Sequence, residues 1–190
     1  VYVNEDEINI YAKHHCGVAH CPSSNMRLAS GIAPIKEMLA AGVDVGLGVD
    51  GSASNDGSHM LGEARQAMLV ARVKEGITGY SLSSDNRKLM TARDALQLAT
   101  RGGAAVLGRS DIGSLEKGKC ADFFAIKLNT LDYAGALHDP VAATIFAQPV
   151  KANYTVVNGK FVIKESQLVH VDESKLVEKH NKAAKRLLDR

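Results

Sequence analysis

The first half of the chain alternates short apolar runs with longer amphipathic segments. The apolar runs at residues 17–21 and 43–49 predict buried strands. Apolar side chains at helical spacing predict helices, which begin after N-cap residues such as Asn4 and Thr91 and cover residues 5–14, 34–41, 58–74 and 91–107. Residues 23–31 are predicted to be a loop. Strands that alternate with helices predict an α/β fold with parallel strands and right-handed crossovers.

The pattern changes after about Arg109 to short alternating runs that predict an antiparallel β region. Strands are predicted over residues 122–126, 150–158 and 160–163, and Asn158-Gly159 between the last two is a strong hairpin signal. Residues 172–190 predict a charged, amphipathic surface helix. We therefore predict three parts, covering residues 1–110, 111–170 and 171–190.

Composition excludes several classes of protein. A formal net charge of +2 gives no electrostatic reason to expect nucleic acid or a membrane surface as a partner. No apolar run approaches the roughly 20 residues that a membrane-spanning helix needs. The three cysteines are odd in number and lie in apolar contexts, so we expect reduced thiols and a cytoplasmic protein. The chain starts at Val1 within a helix-initiating segment, so we expect the natural start to lie upstream.

The stretch VGLGVDGSASND, residues 45–56, places an acidic residue directly after a predicted strand. Asp50 ends the apolar run, and small turn-forming residues follow it. The carboxyl ends of parallel strands are where α/β folds carry their chemistry, so Asp50 is a candidate catalytic carboxylate. From the residues alone, a turn carboxylate or helix N-cap is an equally good interpretation.

Longer segments resemble one enzyme superfamily. The run HCPSSNMRLASGIAPIKEMLAAGVDVGLGVDGSASND, residues 20–56, is similar to the amidohydrolase superfamily, in particular to its cytosine deaminase and chlorohydrolase group. Within that group, the residues around Asp50 are most similar to 8-oxoguanine deaminases and hydroxytriazine aminohydrolases. GSLEKGKCADFFAIKL at residues 113–128 and VVNGKFV at residues 156–162 resemble the small β-domain of the same enzymes. The resemblance implies the C-terminal portion of a (β/α)8 TIM-type barrel with part of a small β-sandwich domain.

The resemblance also implies a reaction and a cofactor. These enzymes hold a divalent metal, most often Zn²⁺, at the barrel mouth, and Asp50 matches the last metal ligand. The other ligands are expected upstream of Val1. A carboxylate beside the metal can take a proton from the attacking water and pass it to the departing amine. We therefore expect the parent enzyme to deaminate a small amino-heterocycle, 8-oxoguanine or a similar purine or triazine, with release of ammonia.

Two other functions stay open. A relative with a different leaving group, such as a chlorohydrolase or an imidazolone-type amidohydrolase, would share the same motifs. The chain could also be an inactive fragment that serves in folding or assembly. Unpaired edges of two barrel strands would then favour aggregation or a homo-oligomer.

Five further residues are candidates for substrate binding, each with a structural alternative. His20 ends a predicted strand near Asp50, and it could equally be a buried, hydrogen-bonded histidine. Ser24 and Asn25 could instead brace their loop through side-chain to backbone bonds. Ser52 and Asn55, like Ser54, follow Asp50 and would line the pocket or orient its carboxylate.

Overall fold

The structure, a computed structural model, describes residues 1–77, 89–147 and 151–189. The chain divides into two compact units. Val1–Lys119 and Leu128–Pro149 form the first unit, and Cys120–Lys127 and Val150–Arg190 form the second. The predicted domain ranges 1–110, 111–170 and 171–190 stay predictions, since the units describe contacts and not independent folding.

Two short parallel strands lie at the centre of the first unit. Strand β1 is Val18–His20, and strand β2 is Val45–Leu47. They pair in register from Val18 opposite Val45 to His20 opposite Leu47. Both strands therefore end at the same edge, where Cys21 and Gly48 follow them. The parallel pairing, with helices between the strands, confirms the predicted α/β class for this unit.

Helices surround these strands. Four of them lie within residues 1–77: α1 (Glu5–Lys13), α2 (Pro22–Arg27), α3 (Ile35–Ala40) and α4 (Met60–Ile77). Further along, the described residues of the unit form α5 (Ala92–Gln97), a π-helical turn (Leu98–Gly102), α6 (Gly103–Val106), a 3₁₀ turn (Leu131–Tyr133) and α7 (Pro140–Phe146).

The predicted loop at residues 23–31 is wrong in its first half, because α2 occupies Pro22–Arg27. Proline fits the first position of a helix, where its missing N–H would have no partner inside the helix. The helix begins directly after strand β1. It therefore places its first residues, among them Ser24, beside the end of strand β2.

Capping residues account for the predicted helix starts. Asn4 and Glu7 form a reciprocal capping box at α1, and Thr91 and Asp94 form another at α5. In each box the cap side chain accepts from a backbone N–H while the acid accepts from the backbone N–H of the cap residue. At α7, Asp139 caps the helix and also forms a bidentate ion pair with Arg93.

The π-helical turn packs unusually close to strand β2. A Cβ atom on Gly46 would lie 2.8 Å from the Cα atom of Gly103, and one on Gly102 would overlap the carbonyl oxygen of Val45. Two backbones can approach this closely only where the residues at the contact are glycines, which have no Cβ atom. The predicted helix over residues 91–107 is therefore present, but it is interrupted where it lies against the strand that leads to Asp50.

Apolar side chains fill the space between the strands and helices of this unit. The largest fully buried residues come from strand β2, α2, α3, α4, α7 and the 3₁₀ turn: Tyr133, Met38, Met68, Ile145, Val45 and Pro22. Among residues 1–77, 89–147 and 151–189, no helix combines the length and apolar character needed to cross a membrane.

The second unit contains a four-stranded antiparallel sheet in the order β3-β4-β5-β6. The strands are β3 (Phe123–Ala125), β4 (Tyr154–Val157), β5 (Lys160–Lys164) and β6 (Gln167–Leu168). Asn158 and Gly159 join β4 to β5 with φ angles of 47° and 74°, which confirms the predicted hairpin. Val150 of the predicted strand lies outside the described residues. Helix α8, Glu173–Leu188, corresponds to the predicted surface helix and buries none of its residues.

Candidate active site

Asp50 lies three residues beyond the end of strand β2, and three hydrogen bonds hold its carboxylate. The hydroxyls of Ser24 and Ser54 donate to Oδ2 over 2.6 and 2.7 Å. The backbone N–H of Gly51 donates to Oδ1 over 2.8 Å. A carboxylate has about four lone-pair positions, so these donors leave one, on Oδ1, for a further partner.

The backbone of Asp50 has φ of 62°, in the left-handed region that side chains other than Gly, Asn and Asp rarely adopt. This conformation turns the chain immediately after the strand, so that Gly51 can donate back to the preceding side chain. Asp50 itself is exposed, whereas Ser24 and Ser54 are buried. Buried hydroxyls thus hold the carboxylate in place, while the residue itself stays exposed to solvent.

The same hydrogen bonds set the charge of this carboxylate. The Ser24 hydroxyl, followed by the Ser54 hydroxyl and the Gly51 N–H, holds the pKa of Asp50 below its ordinary value of 3.8. Each donor stabilises the ionised form. Asp50 is therefore an anion at neutral pH, which suits it both as a cation ligand and as a proton acceptor.

His20 lies at the end of strand β1, where it is 5% exposed. Burial lowers its pKa from 6.5 to about 4, so the ring is neutral near pH 7. Its Nδ1 has no hydrogen-bond partner among the residues that the structure describes. Both interpretations of His20 therefore stay open: the side chain is buried, as the structural alternative required, yet one of its polar atoms is unpartnered.

An open cavity of about 580 Å³ adjoins these groups, and its lining includes His20, Cys21, Asn25 and Asp50. Burial, and then the negative charges of Asp50 and Glu63, raise the pKa of the Cys21 thiol. The thiol is therefore protonated at neutral pH, and Asp50 is the anionic group of this lining.

The structure brings some predicted residues to the carboxylate and not others. Ser24 and Ser54 contact Asp50 directly. Asn25 lies on the cavity wall, where its side-chain oxygen accepts from the Ser30 hydroxyl over 3.4 Å. Ser52 is exposed in the turn after Asp50. Substrate binding by His20, Ser24, Asn25, Ser52 and Asn55 stays a prediction.

Asn55 is buried, and its side chain bonds to groups other than the Asp50 carboxylate. Its amide Nδ2 donates to Glu63 over 2.9 Å, and its Oδ1 accepts from the N–H of Gly57 over 3.1 Å. Glu63, in the first turn of α4, also accepts from the N–H of Ser23 over 3.1 Å. Sequence reasoning missed Glu63. The available signal was an acidic residue beside alanines on the buried face of a helix.

A metal ion needs more ligands than the described residues of this chain supply. Across residues 1–77, 89–147 and 151–189, no three His, Cys, Asp or Glu side chains lie together in a way that could hold one. Asp50 alone fits as a ligand, because it is anionic, exposed and has a lone pair available on Oδ1. Any metal bound here would take its other ligands from outside the described residues.

The chain is similar in sequence to known proteins over most of its length. The family model described as "Amidohydrolase family" matches residues 1–162. The chain is 42% identical to 8-oxoguanine deaminase from Pseudomonas aeruginosa, over 99% of this chain and 39% of that protein. It is 39% identical to 5-methylthioadenosine/S-adenosylhomocysteine deaminase from Pelotomaculum thermopropionicum, over 100% of this chain and 42% of that protein.

Among solved structures, the chain resembles atrazine chlorohydrolase TrzN from Arthrobacter aurescens TC1, which was determined with zinc. The TM-score is 0.86 at 36% identity, and the match covers 96% of this chain and 39% of that chain. The chain thus spans about two fifths of the length of the relatives that it matches. The extent of the family match and the identity to its named relatives show that this chain belongs to the amidohydrolase family.

Proposed function

We propose that the complete protein containing this chain is a metal-dependent aminohydrolase that converts an amino-purine, 8-oxoguanine in the first instance, to its oxo form and releases ammonia. The observation that carries this proposal is the Asp50 carboxylate, ionised and held by three donors at the common end of two parallel strands. The 42% identity to an 8-oxoguanine deaminase over nearly the whole chain supports the choice of substrate.

In this proposal the first unit is the C-terminal part of a (β/α)8 barrel, and strands β1 and β2 are its last two strands. Active sites of such barrels lie at the carboxyl ends of the strands, which is where Asp50 and His20 are found. The antiparallel sheet of the second unit is one part of a small β-sandwich. The rest of the barrel and of the sandwich would come from the residues that the relatives have and this chain does not.

Asp50 performs two tasks in the proposed reaction. It would hold the metal through the open position on Oδ1. Its Oδ2 takes a proton from the attacking water, as one serine hydroxyl turns away to free a lone pair there, and then gives that proton to the departing amine. A bound zinc ion would supply Lewis-acid activation of the water. Ser24 and Ser54 keep the carboxylate oriented until the proton arrives.

His20 contributes as a neutral group on the cavity wall. With its pKa at about 4, its ring carries no charge at neutral pH and does not compete with Asp50 for the proton. We propose that the His20 ring contacts the heterocycle, alongside Asn25 on the same wall.

The test uses the complete protein, loaded with zinc, and measures ammonia release from 8-oxoguanine and from 5-methylthioadenosine. Asp50→Asn should lower kcat by about 10²–10⁴-fold, the usual contribution of a general acid–base group. Asp56→Asn is the matched control, because it makes the same change in the same loop at an exposed ion pair with Arg27. Its kcat should stay within about threefold of wild type, since such pairs contribute little.

Each outcome has a distinct meaning. Near-normal turnover of Asp50→Asn would remove Asp50 from the proton-transfer role. Zinc binding without ammonia release from any amino-heterocycle would contradict the proposed reaction. The similarity to an atrazine chlorohydrolase favours one second candidate, hydrolysis of a chloro-triazine, which is measured in the same protein as chloride release.

A further inference from the structure

Glu63 is a buried carboxylate that the proposed reaction does not use. It is 2% exposed and lies on the buried face of α4, next to Ala64 and Ala67. Burying a carboxylate is unfavourable unless hydrogen bonds replace its water. Here both oxygens have such partners, Oε2 from the N–H of Ser23 and Oε1 from the amide of Asn55.

These two partners lie next to the two hydroxyl donors of Asp50. Ser23 precedes Ser24, whose hydroxyl donates to Asp50 Oδ2. Asn55 follows Ser54, whose hydroxyl donates to the same oxygen. We call the pair of hydrogen bonds that Glu63 accepts from Ser23 and Asn55 the Glu63 bridge. It joins the segment after strand β1 to the segment after strand β2.

We propose that Glu63 is a positioning residue for the Asp50 carboxylate, acting through the Glu63 bridge by fixing the Ser24 and Ser54 hydroxyls together on Oδ2. Its effect on turnover and metal binding rests on the proposed function, whereas its effect on the geometry around Asp50 does not. Substituting a residue that supports a metal ligand in this way typically lowers metal affinity or activity by about 10–100-fold.

A second link joins the same two segments and offers a control. Arg27 of α2 pairs with Asp56 over 2.6 Å, and both side chains are largely exposed. An exposed pair is screened by water and salt and constrains its partners weakly. The Glu63 bridge is buried, so its geometry is enforced. Breaking the Arg27 pair and breaking the Glu63 bridge should therefore have different consequences for the same carboxylate.

The bridge can be broken and then rebuilt with reversed polarity. Both partners of Glu63 are hydrogen-bond donors. Glu63→Gln therefore places its NH₂ group against one of these donors, and that hydrogen bond is lost. In the double variant Glu63→Gln with Asn55→Asp, the oxygen of the introduced amide accepts from the N–H of Ser23, and its NH₂ donates to the introduced carboxylate. That carboxylate still accepts from Gly57, so all three hydrogen bonds and the net charge are kept.

The experiment compares the complete wild-type protein with Glu63→Gln, the double variant and Arg27→Gln. Crystal structures give the distances from the Ser24 and Ser54 hydroxyls to Asp50 Oδ2. Competition with a chromophoric chelator gives the zinc dissociation constant, and ammonia release gives kcat and KM. Calorimetry of the metal-free proteins gives Tm, which reports any general loss of stability.

We expect Glu63→Gln to lengthen at least one hydroxyl distance beyond about 3.5 Å, where the hydrogen bond is lost. Zinc affinity and kcat should each fall by about 10–100-fold. The double variant should restore the distances, and it should return the zinc affinity to within about threefold of wild type, because it restores every bond of the bridge. Arg27→Gln should leave all of them unchanged.

The proposal is wrong if Glu63→Gln keeps both hydroxyls on Asp50, or if the double variant recovers Tm without recovering the hydroxyl distances. Should Glu63→Gln fail to fold, the double variant and Arg27→Gln still test the bridge, because the double variant must keep the wild-type hydroxyl distances and zinc affinity. A complete protein that binds no zinc or releases no ammonia would contradict the proposed function instead. The two crystallographic distances would then decide the role of Glu63 alone.

Discussion

Because the π-helical turn packs closely on strand β2, the neighbouring residues Gly102 and Gly103 differ in whether they tolerate a side chain. A Cβ added to Gly102 would overlap the Val45 carbonyl oxygen, and would also lie 3.2 Å from the carbonyl carbon. The same atom added to Gly103 would meet nothing within 4 Å. We therefore expect Gly102→Ala to destabilise the protein and Gly103→Ala to leave it unchanged or slightly more stable.

The magnitude follows from the two contributions that each substitution makes. Both gain up to about 1 kcal/mol, because alanine favours a helix over glycine. Only Gly102→Ala adds the steric cost of overpacking, typically about 1–3 kcal/mol, and the obstructing atom belongs to backbone that cannot rotate away. A difference of about 3 kcal/mol between the variants corresponds to about 6 °C in Tm for a barrel of about 250 residues.

Differential scanning calorimetry of the two variants in the complete protein measures this difference directly. Because helix propensity changes equally in both, subtracting their Tm values isolates the contact with Val45. Equal Tm values, or a higher value for Gly102→Ala, would refute the account of this packing. Val45 begins the strand that leads to Asp50, so we also expect Gly102→Ala to lower turnover and Gly103→Ala to preserve it.

Three further predictions concern other contacts. Hydrogen bonds from Arg93 and the Ala142 N–H hold the pKa of Asp139 at about 2 instead of 3.8. The ionised Asp139 therefore stabilises the folded protein fully above about pH 4, and this stabilisation is lost as the pH falls toward 2. The Tm of Asp139→Asn should accordingly lie below that of wild type at neutral pH, and the difference should shrink between pH 4 and 2. Ser24→Ala removes the largest cause of the low pKa of Asp50, and should move the acidic limb of the pH–rate profile of the complete enzyme to higher pH. Gly159→Val forces a β-branched residue to φ of 74° and should destabilise the second unit by about 1–2 kcal/mol, measured by calorimetry, whereas Asn158→Gly, which also suits the turn, should not.

Local signals predicted much of the fold. Asn4 and Thr91 begin helices as expected, because a cap is a contact between residues three apart in sequence. The Asn158-Gly159 turn needs positive φ at two consecutive positions, which that dipeptide tolerates best. Residues 18–20 and 45–47 are strands within the two apolar runs. Each of these features is decided by a few neighbouring residues.

Features that depend on tertiary contacts were not predicted. Helix α2 has a turn-like composition and becomes helical between strand β1 and the α4 helix, to which Glu63 ties its N-terminus. Glu63 accepts a hydrogen bond from Ser23, which lies 40 residues away in the sequence, and a pattern of neighbouring residues cannot predict such a contact. The prediction for Asp50 rested on a strand end and on the family resemblance, and Ser54 was among the nearby residues expected to line the pocket or orient its carboxylate. The other hydroxyl donor, Ser24, lies 26 positions away, and identifying it required the folded chain.

The interleaved order of the two units has a consequence during protein synthesis. Strand β3 pairs with β4, with Phe123 opposite Val156, so β3 is made 33 residues before its partner. At a synthesis rate of about 5–20 residues per second, β3 waits about 2–7 s for β4. Its two phenylalanines are apolar, and the backbone groups that will pair with β4 have no strand partner during that interval. A chaperone that binds apolar, unpaired segments therefore has that interval in which to bind β3, until β4 has left the ribosome and paired with it.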